Sequence, residues 1–240
     1  MSGREGGTPA HGSDPTGTLN HSTLTAYEHW APLYPPVAHN PLMRVEQRAM
    51  LEVWPDMGGK RVLDLACGSG RYSNLSLQAN AAQVVALDFC APMLEQVTVA
   101  NRVRASMMRL PFQPEVFDVV VSGLAVGHAT DIRQWMREVA RVLRPAGSLV
   151  YSDFHSEAIR VGMTRSFKDA TNVTWTVPHQ VYDLACQQEA MAGVGLSVET
   201  FRELRVGIEL TETFPGSERL YREWHGVPLV LIVRARKSSI

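Results

Sequence analysis

Arg61-Val-Leu-Asp-Leu-Ala-Cys-Gly-Ser-Gly-Arg-Tyr72 is the stretch that decides the architecture of this chain. Val62, Leu63, Leu65 and Ala66 surround a single acid, Asp64, in the pattern of a buried parallel strand. Cys67-Gly68-Ser69-Gly70 breaks the run, and Arg71 to Gln78 has helical spacing. Two glycines between a strand and a helix let backbone N–H groups come close to a ligand. The pattern excludes two common ligand loops. A dinucleotide fingerprint, G-x-G-x-x-G, needs a third glycine where Ser73 stands, and the phosphate loop G-x-x-x-x-G-K-[ST] is absent.

The chain has 240 residues, a net charge of −1 and 45% hydrophobic residues, which suits one α/β domain with a modest insertion. Near-neutral charge without a Lys/Arg block argues against nucleic acid as the main partner. Cys67, Cys90 and Cys186 are scattered without C-x-x-C spacing, so neither a metal site nor a disulfide framework is expected. Residues 1–23 are rich in Gly, Ser, Thr and Pro and lack the apolar core of a secretory signal; they read as a disordered tail whose His11 and His21 have no role. No stretch reaches membrane-spanning length, so the expected location is cytoplasmic. Monomer and homodimer are both compatible with the sequence.

The domain is expected to occupy residues 24–240. Within 24–57, two helices, Thr25–Trp30 and Leu42–Trp54, flank an elbow whose Pro32, Pro35, Pro36 and Pro41 forbid one continuous helix. Gln83–Asp88 is a second strand, and its terminal Asp88 lies twenty residues beyond Gly68, the spacing at which an acid meets ribose hydroxyls. Ala91–Ala100 starts a helix with Pro92 in its first turn. Val103–Met108 reads as a weak third strand, Val116–Ser122 as a central fourth and Ser148–Asp153 as a fifth. The amphipathic helix Asp131–Leu143 lies between the last two and ends at Pro145-Ala-Gly147. Strands alternating with helices mean a doubly wound parallel sheet of the α/β class. Residues 155–195 break the alternation and form an insertion on the substrate side, with helical character only over Gln180–Met191. Ser197–Val206 and Val227–Arg236 read as two closing strands.

The ordered motifs D-L-A-C-G-S-G, A-L-D-F-C-A-P-M-L, L-P-F, F-D-V-V-V-S and R-V-L-R-P-A-G-S-L resemble the class I S-adenosylmethionine-dependent methyltransferases of the ubiquinone/menaquinone and biotin-pathway type. The resemblance covers Tyr27 to about Asp153 well and the last two strands more loosely. It implies a Rossmann-like seven-stranded sheet with the last strand antiparallel, an N-terminal helical lid, and S-adenosylmethionine across the C-terminal strand ends. Asp64, Gly68 and Gly70 would hold its methionine and ribose portions, Asp88 its ribose hydroxyls, and Phe89 and Met93 the adenine faces. Tyr27 would cover it. The family usually has an acid before L-P-F for the adenine amino group; Ser106 stands there, with the Met107 N–H at a ring nitrogen. R-P-A-G in place of K-P-G-G is a further departure, at a helix end.

The implied activity is methyl transfer by in-line displacement to a small acceptor. Alignment supplies most of the catalysis, and a base is needed only where the nucleophile must shed a proton. His128, His155, Tyr182 and Asp183 are the candidate catalytic residues, and Tyr34, His39, Trp175 and His179 the candidate acceptor contacts. Such aromatic density with few clustered charges suits a flat aromatic or heteroaromatic metabolite, methylated at carbon or nitrogen, as in natural-product tailoring of an indole-type acceptor. The alternatives are carboxyl O-methylation of an acyl or acyl-carrier substrate, an NAD-dependent oxidoreductase, and a non-catalytic S-adenosylmethionine-binding protein.

Overall fold

Val62, Leu63 and Leu65 are completely buried because the strand they form, β1 (Arg61–Leu65), has neighbours on both edges. The computed structural model describes residues 19–20, 22–211 and 217–239. The other main strands are β2 (Gln83–Asp88), β3 (Asn101–Arg104), β4 (Phe117–Gly123), β5 (Leu143–Phe154), β6 (Leu196–Arg205) and β7 (Pro228–Lys237). They lie in the order β3-β2-β1-β4-β5-β7-β6. β7 runs antiparallel to β5 and β6 on either side of it, and the other pairs in this sheet are parallel. Strand order reverses between β1 and β4, where an α/β sheet opens a crevice at the carboxyl ends of its strands.

Alternate residues of each strand face opposite layers. Val62, Val119, Val150 and Ile232 pack toward α2 (Pro41–Glu52), with Met43 and Met50. Leu63, Val120, Leu149 and Leu231 pack toward α5 (Ile132–Val142), which buries Trp135, Met136 and Val139. Asp131 starts α5 by accepting from the Arg133 and Gln134 N–H groups. The remaining helices are α1 (Thr23–Trp30), α3 (Arg71–Gln78), α4 (Ala91–Glu95), α6 (Ser156–Arg160), α7 (Leu184–Ala192) and α8 (Ser217–Trp224). Among the described residues, no helix is long and apolar enough to cross a membrane.

Several boundaries depart from the sequence reading. α4 stops at Glu95 rather than Ala100, ahead of the β-branched Val97-Thr-Val99. β3 pairs over Asn101–Arg104, so Ser106–Met108 form a turn and not a strand. β5 begins at Leu143, and Pro145-Ala-Gly147 sits within it as an irregularity, with Ala146 at φ +59°. α7 starts at Leu184 because Asp183 caps it, accepting from the Cys186 N–H.

The insertion contains α6 and an antiparallel hairpin of Ser166–Lys168 with Thr174–Thr176. Leu19–Asn20, assigned to the disordered tail, pair in parallel with Trp175 and Thr176, and Ser22 caps α1. Residues 1–18, including His11, lie outside the described residues, as does His21. α1 buries Ala26 against Phe167, Trp175 and Val177 of the insertion. Trp30 stacks on Phe167 at 4.5 Å, and His29 on Trp175 at 4.0 Å. The N-terminal helix and the insertion thus form one cover over the crevice.

Candidate active site

The crevice holds a cavity of about 380 Å³. It is walled by the end of β1, the β2 tip, the turn after β3, the end of β4 and the cover. After β1 the backbone turns through left-handed angles at Ala66, Gly68 and Gly70. Only glycine adopts such angles cheaply, which is why two glycines stand here. Gly70 does not line the cavity: it precedes α3, and a Cβ there would meet Val97 Cγ2 at 3.2 Å. Its role lies in the turn, which brings Gly68 to the wall.

Two carboxylates organise this end. Asp88 Oδ2 accepts from the Gly68 N–H at 2.7 Å, and Oδ1 from the Cys90 N–H at 2.8 Å. Each oxygen keeps further acceptor capacity toward the cavity. Asp64 is buried and accepts from the Ser73 hydroxyl at 2.6 Å. Burial pushes its carboxyl up to about 6, opposed by the Ser73 hydrogen bond. Phe89, half exposed, and the buried Met93 line the same region. Ser106 and Met107 complete it; the Ser106 hydroxyl also accepts from the Met108 N–H.

Beneath the cavity lies a buried polar network that sequence reasoning missed. Arg71 Nη1 pairs with Glu46 Oε2 at 2.9 Å and lies over the Tyr72 ring. Tyr72 donates to Glu46 Oε1 at 2.7 Å, and Ser152 donates to the same oxygen at 2.5 Å. Gly123 is glycine because a Cβ there would sit 2.3 Å from the Tyr72 ring. The available signal was Glu46 itself, a charge on the apolar stripe Met43–Glu46–Met50 of α2.

At the far end, Tyr27, His128 and Arg165 converge. Tyr27 Oη and His128 Nε2 are 3.0 Å apart, and Arg165 Nη1 lies 3.1 Å from Nε2. Since guanidinium only donates, Nε2 is the acceptor and the ring proton sits on Nδ1. Burial, reinforced by Arg165, holds the imidazole well below its ordinary value, so it is neutral. Asp153 accepts from the Gly127 N–H and holds the turn that carries His128. Tyr34 passes over Gly68, and burial pushes its hydroxyl up to about 12.

Tyr27, Tyr34, Asp64, Gly68, Asp88, Phe89, Met93, Ser106, Met107 and His128 therefore share one cavity, and six other candidates besides Gly70 stand outside it. His155 caps α6 and its Nε2 meets Glu203 at 3.1 Å. Asp183 is spent as the cap of α7. Tyr182 donates to the Ala129 carbonyl at 2.7 Å. Trp175 belongs to the cover, bonded to Asp169. His179 packs edge-on against Phe154, and His39 against Tyr34. Each serves the scaffold or the cover in this structure.

A seven-stranded sheet in this order, with an acid-and-glycine loop after its first strand and a second acid at the β2 tip, defines a Rossmann-like fold. Residues 63–151 match the family model described as a methyltransferase domain. Over these residues the chain is similar to methyltransferase domains, and the solved structures that share its fold include S-adenosylmethionine-dependent methyltransferases. It is 36% identical over 113 residues to a demethylmenaquinone methyltransferase of Mycolicibacterium paratuberculosis, covering 46% of this chain and 47% of that protein. It is 30% identical over 152 residues to a malonyl-[acyl-carrier protein] O-methyltransferase of Pectobacterium atrosepticum, covering 61% of this chain and 60% of that protein. The chain thus spans about half the length of the demethylmenaquinone methyltransferase it matches. An S-adenosylmethionine-dependent methyltransferase from Mesorhizobium loti shares the fold, with a TM-score of 0.65 at 23% identity over 80% of this chain and 97% of that one.

Proposed function

We propose that this protein transfers a methyl group from S-adenosylmethionine to a small aromatic or heteroaromatic acceptor bound beneath the cover. The observation that carries this reading is the single cavity joining the Asp64–Asp88 end to a wall of Tyr27, Tyr34 and Tyr72. Rings of this kind bind flat apolar molecules over their faces while their hydroxyls set orientation. The demethylmenaquinone methyltransferase relatives, named for a quinone, support an aromatic acceptor.

The residues at the first end suit the cofactor. Asp64 offers a buried carboxylate for an ammonium, Asp88 has acceptor capacity for hydroxyls, Gly68 presents no side chain, and Phe89 presents an exposed ring. When bound, S-adenosylmethionine supplies a methyl group already activated on a sulfonium. The chain's own task is then to align the acceptor and exclude water, worth up to roughly 7–11 kcal/mol in well-oriented cases. Neutral His128 and the protonated Tyr27 are poor proton acceptors, which favours an acceptor that reacts without prior deprotonation. The labelled cofactor should therefore pass its methyl to an aromatic product when the protein is incubated with extract of its native host. A product that is not aromatic would overturn the acceptor assignment.

Affinity for the cofactor should depend on pH through Asp64. An ammonium stabilises the ionised carboxylate, so binding should be constant above about pH 7. Below the value of about 6 that burial confers, affinity should fall roughly tenfold per pH unit as the proton competes. Titration of S-adenosylhomocysteine across pH 5–8 measures this, and Asp64→Asn should bind weakly with a flatter profile.

Carboxyl O-methylation is the second reading, favoured by Arg165 at the acceptor end and by the malonyl-[acyl-carrier protein] relative.

A further inference from the structure

Two arginines line the cavity, and they differ in one respect. Arg71 is neutralised in contact by the buried Glu46. Arg165 has no carboxylate partner among the described residues. Its Nη1 donates to the Leu124 carbonyl at 2.9 Å and lies 3.1 Å from His128 Nε2, and its Nη2 donates to Tyr27 Oη at 3.2 Å. A guanidinium has five N–H donors. The Nε–H and the second Nη2–H are left without a protein acceptor among the described residues, on a residue that lines the cavity. These two atoms form the edge of the guanidinium that takes a carboxylate bidentately.

The side chain is also fixed in place. The Arg165 carbonyl accepts from the Val177 N–H at 2.8 Å, tying it to the base of the hairpin. Three neutral acceptors on α1, the β4 end and the His128 turn then hold the head group. Asp153, an acid within electrostatic reach of Arg165, accepts from the Gly127 N–H. A cation that is partly desolvated without a counter-charge is unfavourable, and an incoming anion relieves it.

We propose that Arg165 is the anchor for an oxyanion of the methyl acceptor, a carboxylate or phenolate oxygen docking on its Nε–Nη2 edge. This rests on the reading that the His128 end of the cavity holds the acceptor. It deepens that reading by making Arg165 a specificity determinant: the acceptor is a small monoanion, and neutral isosteres are discriminated against.

The test uses the full chain saturated with S-adenosylhomocysteine and calorimetric titration with benzoate, 4-nitrophenolate, benzamide and cyclohexanecarboxylate. At least one of benzoate and 4-nitrophenolate should bind about tenfold or more tightly than benzamide, and which one does separates carboxylate from phenolate. Arg165→Gln should remove that preference while leaving S-adenosylhomocysteine affinity within about twofold, and Arg165→Lys should keep part of it. Normal S-adenosylhomocysteine binding by the glutamine variant also shows that it is folded. Equal binding of the anions and benzamide overturns the anchor and leaves the aromatic pocket standing. Cyclohexanecarboxylate binding as well as benzoate supports the anchor and sinks the aromatic acceptor instead. Failure of all four probes to bind, or a loss of S-adenosylhomocysteine affinity in Arg165→Gln equal to the loss for the anion, overturns the proposal.

Discussion

Glu46→Ala should destabilise the protein by about 3–5 kcal/mol, the range for removing one partner of a buried ion pair. The Glu46 side chain is fully buried and that of Arg71 nearly so, so water cannot replace the lost carboxylate. The substitution leaves a buried guanidinium, and it takes the acceptor from the Tyr72 and Ser152 hydroxyls at once. Urea unfolding should show a lower midpoint with an unchanged slope. Glu46→Gln keeps an acceptor but not the charge, and should lose less. The pair should be nearly insensitive to salt, because screening acts on exposed charges. Combining Glu46→Ala with Arg71→Ala should cost less than the sum of the two, since the second removes the charge that the first strands. An unfolding midpoint like that of the wild type in Glu46→Ala would mean that the network contributes nothing to stability. Because Arg71 and Tyr72 line the cavity, ligand binding should weaken in parallel.

Asp88→Ala should weaken S-adenosylhomocysteine binding by about 2–3 kcal/mol, roughly 30- to 150-fold. Asp88 has a double task. Its two oxygens hold the Gly68 and Cys90 N–H groups, which fix the loop after β1 to the loop after β2. Toward the cavity it has capacity left for hydroxyl donors. Alanine ends both, leaving donors unpaired and two walls of the cavity untied. Asp88→Asn separates the tasks, because a single carbonyl oxygen can serve only one of the two N–H groups. Its loss should fall between wild type and alanine. Calorimetry at fixed salt measures both variants, and unchanged affinity in Asp88→Ala would remove Asp88 from the cofactor site.

Much of this was legible in the chain because it is local. Val62, Leu63 and Leu65 around Asp64 give a strand, Gly68 and Gly70 give left-handed turns, and Trp135, Met136 and Val139 recur at helical spacing. Each is set by residues within a few positions, where backbone sterics and periodicity leave few choices. The twenty-residue interval from Gly68 to Asp88 is one βα unit, so even that contact follows from the pattern. The errors fell where local signals compete. Val97-Thr-Val99 ended α4 early, and Pro145-Ala-Gly147, read as a helix stop, lies within β5.

What the sequence by itself determined is the doubly wound sheet and the glycine turns of the loop after its first strand. What only the tertiary structure decided is which distant side chains meet. Glu46 reaches Tyr72 across 26 residues and Ser152 across 106, and Arg165 reaches Tyr27 across 138. His155, Tyr182 and Asp183 have the right chemistry for a site and were drawn into capping and packing. A histidine or acid can serve a helix end as well as a reaction, and composition cannot tell the two apart. The choice is made by how the cover folds back over the strand ends, through long-range contacts that leave no period in the chain.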